Sequence, residues 1–111
     1  MEDWNSLSTQ WLCRRARLLS DNGHVSRGLV YQLVAHHMQP DDLHVMHGLA
    51  ELFALAGDGK RALAATNKME QQGVPAADLA LLRINAYLAL GQLDAASALL
   101  TRYSDESEDG Q

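Results

Sequence analysis

Apolar residues recur every three to four positions through most of this chain, and the pattern breaks at short intervals that carry glycine or proline. The stretch ALAGDGKRALAA (54–65) shows the device. One pattern of small apolar residues stops at Gly57-Asp58-Gly59 and another starts at once. Such spacing predicts amphipathic helices separated by tight turns. Six follow: Ser6 to Asp21 with Asn5 or Ser6 as cap, Val25 to Met38 stopped by Pro40, and a third from after Asp41 or Asp42 to Ala56. The fourth spans Lys60 to Gln71 and ends at Gly73-Val74-Pro75, the fifth Ala76 to Leu90, and the sixth Leu93 to Tyr103. The segment SDESEDGQ holds four carboxylates and no apolar residue, so 104–111 is expected to be a disordered acidic tail.

The breaks are periodic. Gly23, Gly57 and Gly91 stand 34 residues apart, and other positions fall into register with them. Five residues after each comes a small side chain (Gly28, Ala62, Ala96), and four before comes a large apolar one (Leu19, Phe53, Tyr87). A helix that must end and reverse within two or three residues uses glycine in the left-handed conformation. Its partner then approaches closely, which requires Ala or Gly at the crossing. Gly59 is read only as loosening its turn. A self-similar period of 34 with small residues at helix crossings is the signature of the tetratricopeptide repeat. The expected fold is therefore all-α: an α-solenoid of three tetratricopeptide-like helix hairpins, about six helices in one domain over 1–103. The repeats fall at about 9–41, 42–75 and 76–104. No seventh helix is expected to seal the array. Ala95, Ala98 and Leu99 are placed on the outward side of the last helix, where a partner would cover them.

Composition narrows the class. With 47% hydrophobic and 5% aromatic residues, rich in Ala and Leu, the chain suits closely packed helices rather than a β-sandwich. Nine basic against 14 acidic side chains give a net charge of −5, which argues against nucleic acid as a partner. Arg14, Arg15 and Arg17 form a local basic patch, read as a solvated helix face because no aromatic platform accompanies it. The single cysteine, Cys13, excludes an internal disulfide. No apolar run has the length of a membrane span and no signal segment is evident, so a cytoplasmic location is expected.

Candidate chemistry is sparse. His44, His47 and Glu51 share a helical face at i, i+3 and i+7, with His36-His37 upstream. A zinc site needs three or four ligands at about 2.0–2.3 Å. Adjacent histidines on a helix point about 100° apart, so at most one of that pair joins. The strip is read as the polar lining of a groove, with no metal and no cofactor. The acidic residues are assigned to caps (Asp41, Asp42, Asp78, Asp94) or the tail. Gly57-Asp58-Gly59-Lys60 is a turn and not a phosphate loop. The chain is not expected to be an enzyme.

In such an array the first helix of each pair lines the concave side. The register places Gln10, Cys13, Arg17 and Ser20 there from the first unit, and His44, His47, Glu51 and Ala54 from the second. The third gives Asp78, Leu81, Asn85 and Leu88. This groove is basic and polar at one end and apolar at the other, which suits an amphipathic helix laid along it. Leu81 and Leu88 are equally readable as intramolecular core.

Three such units in this length resemble the small chaperones of bacterial type III secretion, in particular the YscY (SctY) family. The resemblance covers residues from about 12 to 103. It rests on NGHVSRGLVYQLVAHHMQPDDL, on GDGKRALAA, and on LGQLDAASALL followed by a short acidic tail. It implies a chaperone that binds a small secreted helical partner (YscX/SctX-like) as a heterodimer and presents it to the export gate of the apparatus. Chaperones of the needle subunit or of translocators, and a general tetratricopeptide adaptor, are the alternatives. Adaptors that clamp a terminal carboxylate use Lys and Asn on the groove face. Here those places hold Cys13, Arg17, Gly48, Asp78 and Leu82, so that clamp is missing.

Overall fold

The computed structural model describes residues 4–109. Six helices follow in order: α1 (Trp4–Asp21), α2 (Val25–Met38), α3 (Leu43–Leu55), α4 (Gly59–Gln71), α5 (Ala76–Ala89) and α6 (Leu93–Asp109). The all-α hairpin fold expected from the period is the one observed. Two ends differ from expectation. Helix α1 starts at Trp4, ahead of the expected cap at Asn5 or Ser6. Helix α6 passes Tyr103 and continues to Asp109, through most of the segment read as a structureless tail. Extending a formed helix costs far less than nucleating one, so the polar residues follow where α6 leads. Residues 110 and 111 lie outside the described residues.

The periodic glycines do what the turns demand. At Gly57 (φ +85°) the backbone is left-handed, and the Gly57 amide donates to Ala54 O at 3.0 Å while the Asp58 amide donates to Phe53 O at 2.8 Å. That pair of bonds is a Schellman closure, which satisfies carbonyls a helix end would otherwise leave bare. Gly23 and Gly91 repeat the same two bonds, onto Ser20 and Leu19 and onto Leu88 and Tyr87. The large apolar residue four before each glycine is thus the one whose carbonyl closes the turn.

Helix starts follow the sequence reading less closely. Asp42 caps α3 by accepting from the Val45 amide at 3.1 Å, as expected, and Asp58 caps α4 by accepting from Arg61 at 3.1 Å. Asp78 and Asp94 lie inside the first turns of α5 and α6, where a carboxylate favours the positive end of the helix, and so are not caps. The cap of α5 is Pro75, and Asp41 instead accepts a long contact from Gln72 Nε2 at 3.5 Å.

Each helix packs on its neighbours in the chain, while α3 also touches α5 and, over a shorter stretch, α1. Among the described residues no Cα atom of α2, α4 or α6 comes within 8 Å of another of these three helices. Odd helices close together and even helices splayed apart make a curved stack with α1, α3 and α5 on the inner side. Its radius of gyration is 14.9 Å, against about 13 Å for a compact sphere of this length.

The core lies where α3, α4 and α5 meet. Met46, Ala50, Met69, Leu79 and Leu82 form one buried cluster, and Leu49, Phe53, Ala62 and Ala86 form another. Ala54, expected in the groove, is half-buried against the second cluster. Small residues mark the closest approaches. A Cβ on Gly28 would sit 2.7 Å from Ala16 O, so even alanine is too large where α1 crosses α2. Gly59 is buried, and a Cβ there would strike Ala86 O and the Leu90 side chain. Its role is the close passage of α4 over α5, which corrects the reading of Gly59 as a loosened turn. On α6, Ala95 and Leu99 are half-buried, so of the residues expected to face outward only Ala98 is exposed. The large apolar residues exposed on that helix are Leu93 and Leu100.

Candidate functional site

A trough of about 520 Å³ opens between α1 and α3. Gln10, Cys13 and Arg17 line it from α1, and His44, His47 and Glu51 from α3. These are six of the nine partner-binding residues assigned from the register. Leu81, Asn85 and Leu88 are not part of that cavity. They stand exposed at the same register positions on α5, Leu81 at 70% and Leu88 at 49%. Neither leucine is core, which settles the alternative the sequence left open.

Gly48 and Gln32 together shape the trough between α1 and α3. Gly48 occupies on α3 the register position that Leu82 occupies on α5. Leu82 is 5% exposed and fills the space between α5 and α3, packed with Met46 and Ala50. At Gly48 the corresponding space is taken by the Gln32 amide, 2.5 Å from where a Cβ would stand, and both residues line the cavity. The floor is Gln32 of α2, fully buried, whose amide donates to Val45 O at 2.9 Å and reaches Cys13 Sγ at 3.5 Å. This one amide ties α1, α2 and α3 together beneath the opening.

Charge is concentrated on the walls. Glu51 Oε1 lies 2.9 Å from His47 Nδ1 and 3.5 Å from Arg17 Nη2. Neither contact has hydrogen-bond geometry, so this oxygen, sealed from water, is held by charge alone. The His47 contact is an ion pair only when the imidazole is protonated, and Arg17 is 65% exposed. An exposed pair of this kind contributes roughly 0–1 kcal/mol. Arg14 and Asp21 add one charge of each sign, and Leu52 and Leu55 supply apolar wall. Burial pushes the Cys13 thiol above its ordinary pKa, the Gln32 hydrogen bond opposes this, and Asp42 adds to it. The thiol is therefore protonated at neutral pH and a poor nucleophile.

Sequence reasoning missed Arg14, Asp21, Gln32, Leu52 and Leu55 as lining residues, and had Gly48 on the groove face only as a position of the missing clamp. The usable signal was Gly48, small at a place where the next unit has leucine. Among the described residues no group of three or more His, Cys, Asp or Glu side chains is arranged to hold a metal ion. None of their helices is long and apolar enough to cross a membrane.

A smaller cavity of about 220 Å³ lies on the opposite side of α3, bounded by His36, Met46, Phe53, Arg61 and Lys68 among others. His36 Nδ1 is buried there without a hydrogen-bond partner. Burial lowers the His36 pKa, Lys68 and His37 push the same way, and Asp41 opposes. The folded protein thus keeps this imidazole neutral while the unfolded chain protonates it near about pH 6.5. The unfolded state binds more protons below that point, so stability falls as pH drops from there toward the lower folded pKa. Melting temperature is expected to decline between about pH 7 and pH 5, and His36→Leu is expected to flatten the decline. An unchanged slope in that variant would move the effect to other groups.

No family model, curated protein or solved structure matches this chain.

Proposed function

We propose that this chain is a non-enzymatic chaperone that holds a helical segment of another polypeptide along its inner side. The observation that carries the reading is the trough between α1 and α3, continued on α5 by exposed Leu81 and Leu88. A polar, net basic α1 wall beside exposed leucines fits an amphipathic helix. Its acidic residues would face Arg14 and Arg17, and its apolar face would cover α5. The resemblance to the YscY family makes that occupant a small secreted helical protein (YscX/SctX-like), kept covered in the cytoplasm and presented to the export gate.

Cys13 gives the test a direct readout. It lines the trough, so an occupant there blocks its alkylation. Co-expression with the secreted partner is expected to yield a one-to-one complex with a raised melting temperature. In that complex a maleimide should modify Cys13 several-fold more slowly than in the free chain, at mildly alkaline pH. A complex that forms without slowing the reaction would move the partner off the trough. No complex at all would remove the chaperone reading.

A further inference from the structure

The two ends of the stack each carry half of an interface that its interior makes twice. Where α4 meets α5, Arg83 reaches across from α5. It donates Nε to Thr66 Oγ1 at 3.2 Å, and Nη2 to Asn67 Oδ1 at 3.0 Å and Glu70 Oε1 at 2.7 Å. Leu79 packs on Met69 nearby, and Gly59 passes over Ala86. Shifted by the period of 34, the α5 half (79, 83, 86) becomes Val45, Leu49 and Leu52 on α3, all buried at 2–6% exposure. Shifted again it becomes Trp11, Arg15 and Leu18 on α1. There Trp11 is 51% and Leu18 52% exposed, and Arg15 is exposed with its guanidinium 5.8 Å above the Trp11 ring.

The α4 half (59, 66, 67, 70) shifts to Leu93, Leu100, Thr101 and Ser104 on α6. All four are exposed, Leu93 at 64% and Leu100 at 57%. On the α1 face Tyr31 meets the Trp11 ring edge-on, centroids 6.2 Å apart, and about half of the tryptophan still stands open.

We infer that a second copy of this chain docks its α1 onto α6 of the first, so that the stack continues head to tail. Arg15 of the incoming copy takes the place of Arg83 and meets the Thr101 and Ser104 hydroxyls where Arg83 meets Asn67 and Glu70. Leu18 meets Leu93 where Ala86 meets Gly59. That pair is bulkier than Ala with Gly. The α2–α3 junction already carries Val25 and Leu52 at the same positions, so the stack accommodates large side chains there. Charge favours the same pairing. Of the arginines on α1 it is Arg15 that lies on this face, Arg14 and Arg17 lining the trough instead, while the sequence past Ser104 continues with Asp105, Glu106, Glu108 and Asp109. Exposed pairing of this sort weakens as salt rises. A contact between two different faces does not close on itself, so copies add in succession as concentration rises.

The interior trough is not used, which separates this inference from the proposed chaperone role. Sedimentation velocity over a concentration series tests it with two blocked variants. Trp11→Glu plus Leu18→Glu blocks the head, and Leu93→Glu plus Leu100→Glu blocks the tail. All four positions are exposed, and circular dichroism checks that each variant keeps its helices. If the Trp11 change disturbs α1, Leu18→Glu alone serves as the head block. The unaltered chain is expected to grow with concentration, less so at high salt, and each variant to remain at 12.2 kDa. Mixed in equal amounts, the two variants are expected to form a dimer and stop, because one intact head meets one intact tail. A monomeric unaltered chain, a mixture that stays monomeric, or a tail-blocked chain that still self-associates through α1 would each overturn the inference. Leu81→Asp plus Leu88→Asp should leave the association unchanged.

Discussion

Phe53→Ala is expected to destabilise the fold by roughly 3–5 kcal/mol. Phe53 is 6% exposed and packs with Leu49, Ala62 and Ala86, with Leu29 and Leu63 at the edge of the same cluster. Four helices, α2 to α5, therefore meet on one ring. Truncation removes the transfer energy of that ring and leaves a void that close-packed Ala62 and Ala86 are too short to fill. It also removes the Arg61 guanidinium's seat 5.9 Å from the ring centre, a contribution of about 0.5–1 kcal/mol at an exposed site. Against a typical domain stability of about 5–15 kcal/mol, this is a large share. Leu55→Ala, two residues further along α3, is the control. Leu55 is 65% exposed, and its loss should change stability by no more than about 0.5 kcal/mol. Urea unfolding followed by circular dichroism separates the two: a fall in midpoint at unchanged slope for Phe53, and no shift for Leu55. If Phe53→Ala costs less than about 1 kcal/mol, the core is not centred on α3, α4 and α5.

The same ring shows what the sequence made legible. Phe53 stood four residues before Gly57, and that offset recurred at Leu19 and Tyr87, so both turn and packing were readable from period alone. Periodicity works here because one bond pattern closes each of these turns, and the left-handed backbone there strongly favours glycine. It fails where two units differ. Gly48 and Leu82 share a register position, yet Gly48 admits the Gln32 amide against its backbone where Leu82 packs into the core, and the reading of shared positions as equivalent hid that difference. Gly59 failed for a related reason: adjacent to Gly57 in sequence, it answers to Ala86 and Leu90 of the next unit, a contact that local pattern does not encode. The end of α6 was missed because composition reports on packing, whereas a helix already anchored at Ala96 can propagate into a polar segment.

Leu81→Asp plus Leu88→Asp is expected to weaken partner binding by a factor of about 100 or more while leaving helicity intact. The two residues stand seven apart on α5, hence on one face, and at 70% and 49% exposure they contribute little to the fold of the free chain. Covered by an incoming helix, each leucine side chain contributes up to about 1.5–3 kcal/mol, and a carboxylate in its place must be desolvated without a partner. Even at the lower end, the pair accounts for roughly 3 kcal/mol, which is that factor of about 100. Isothermal titration with the secreted partner gives the affinity, and far-ultraviolet circular dichroism the helicity. Unchanged affinity would confine the partner to the α1–α3 trough. Lost helicity would mean that α5 depends on those side chains, against their exposure. Charge reversal at Arg17 should behave differently. It breaks the 3.5 Å pair with Glu51 on the trough wall, so its effect on binding should shrink as salt screens it, whereas the leucine effect should not. That contrast assigns the apolar contribution to α5 and the electrostatic one to α1.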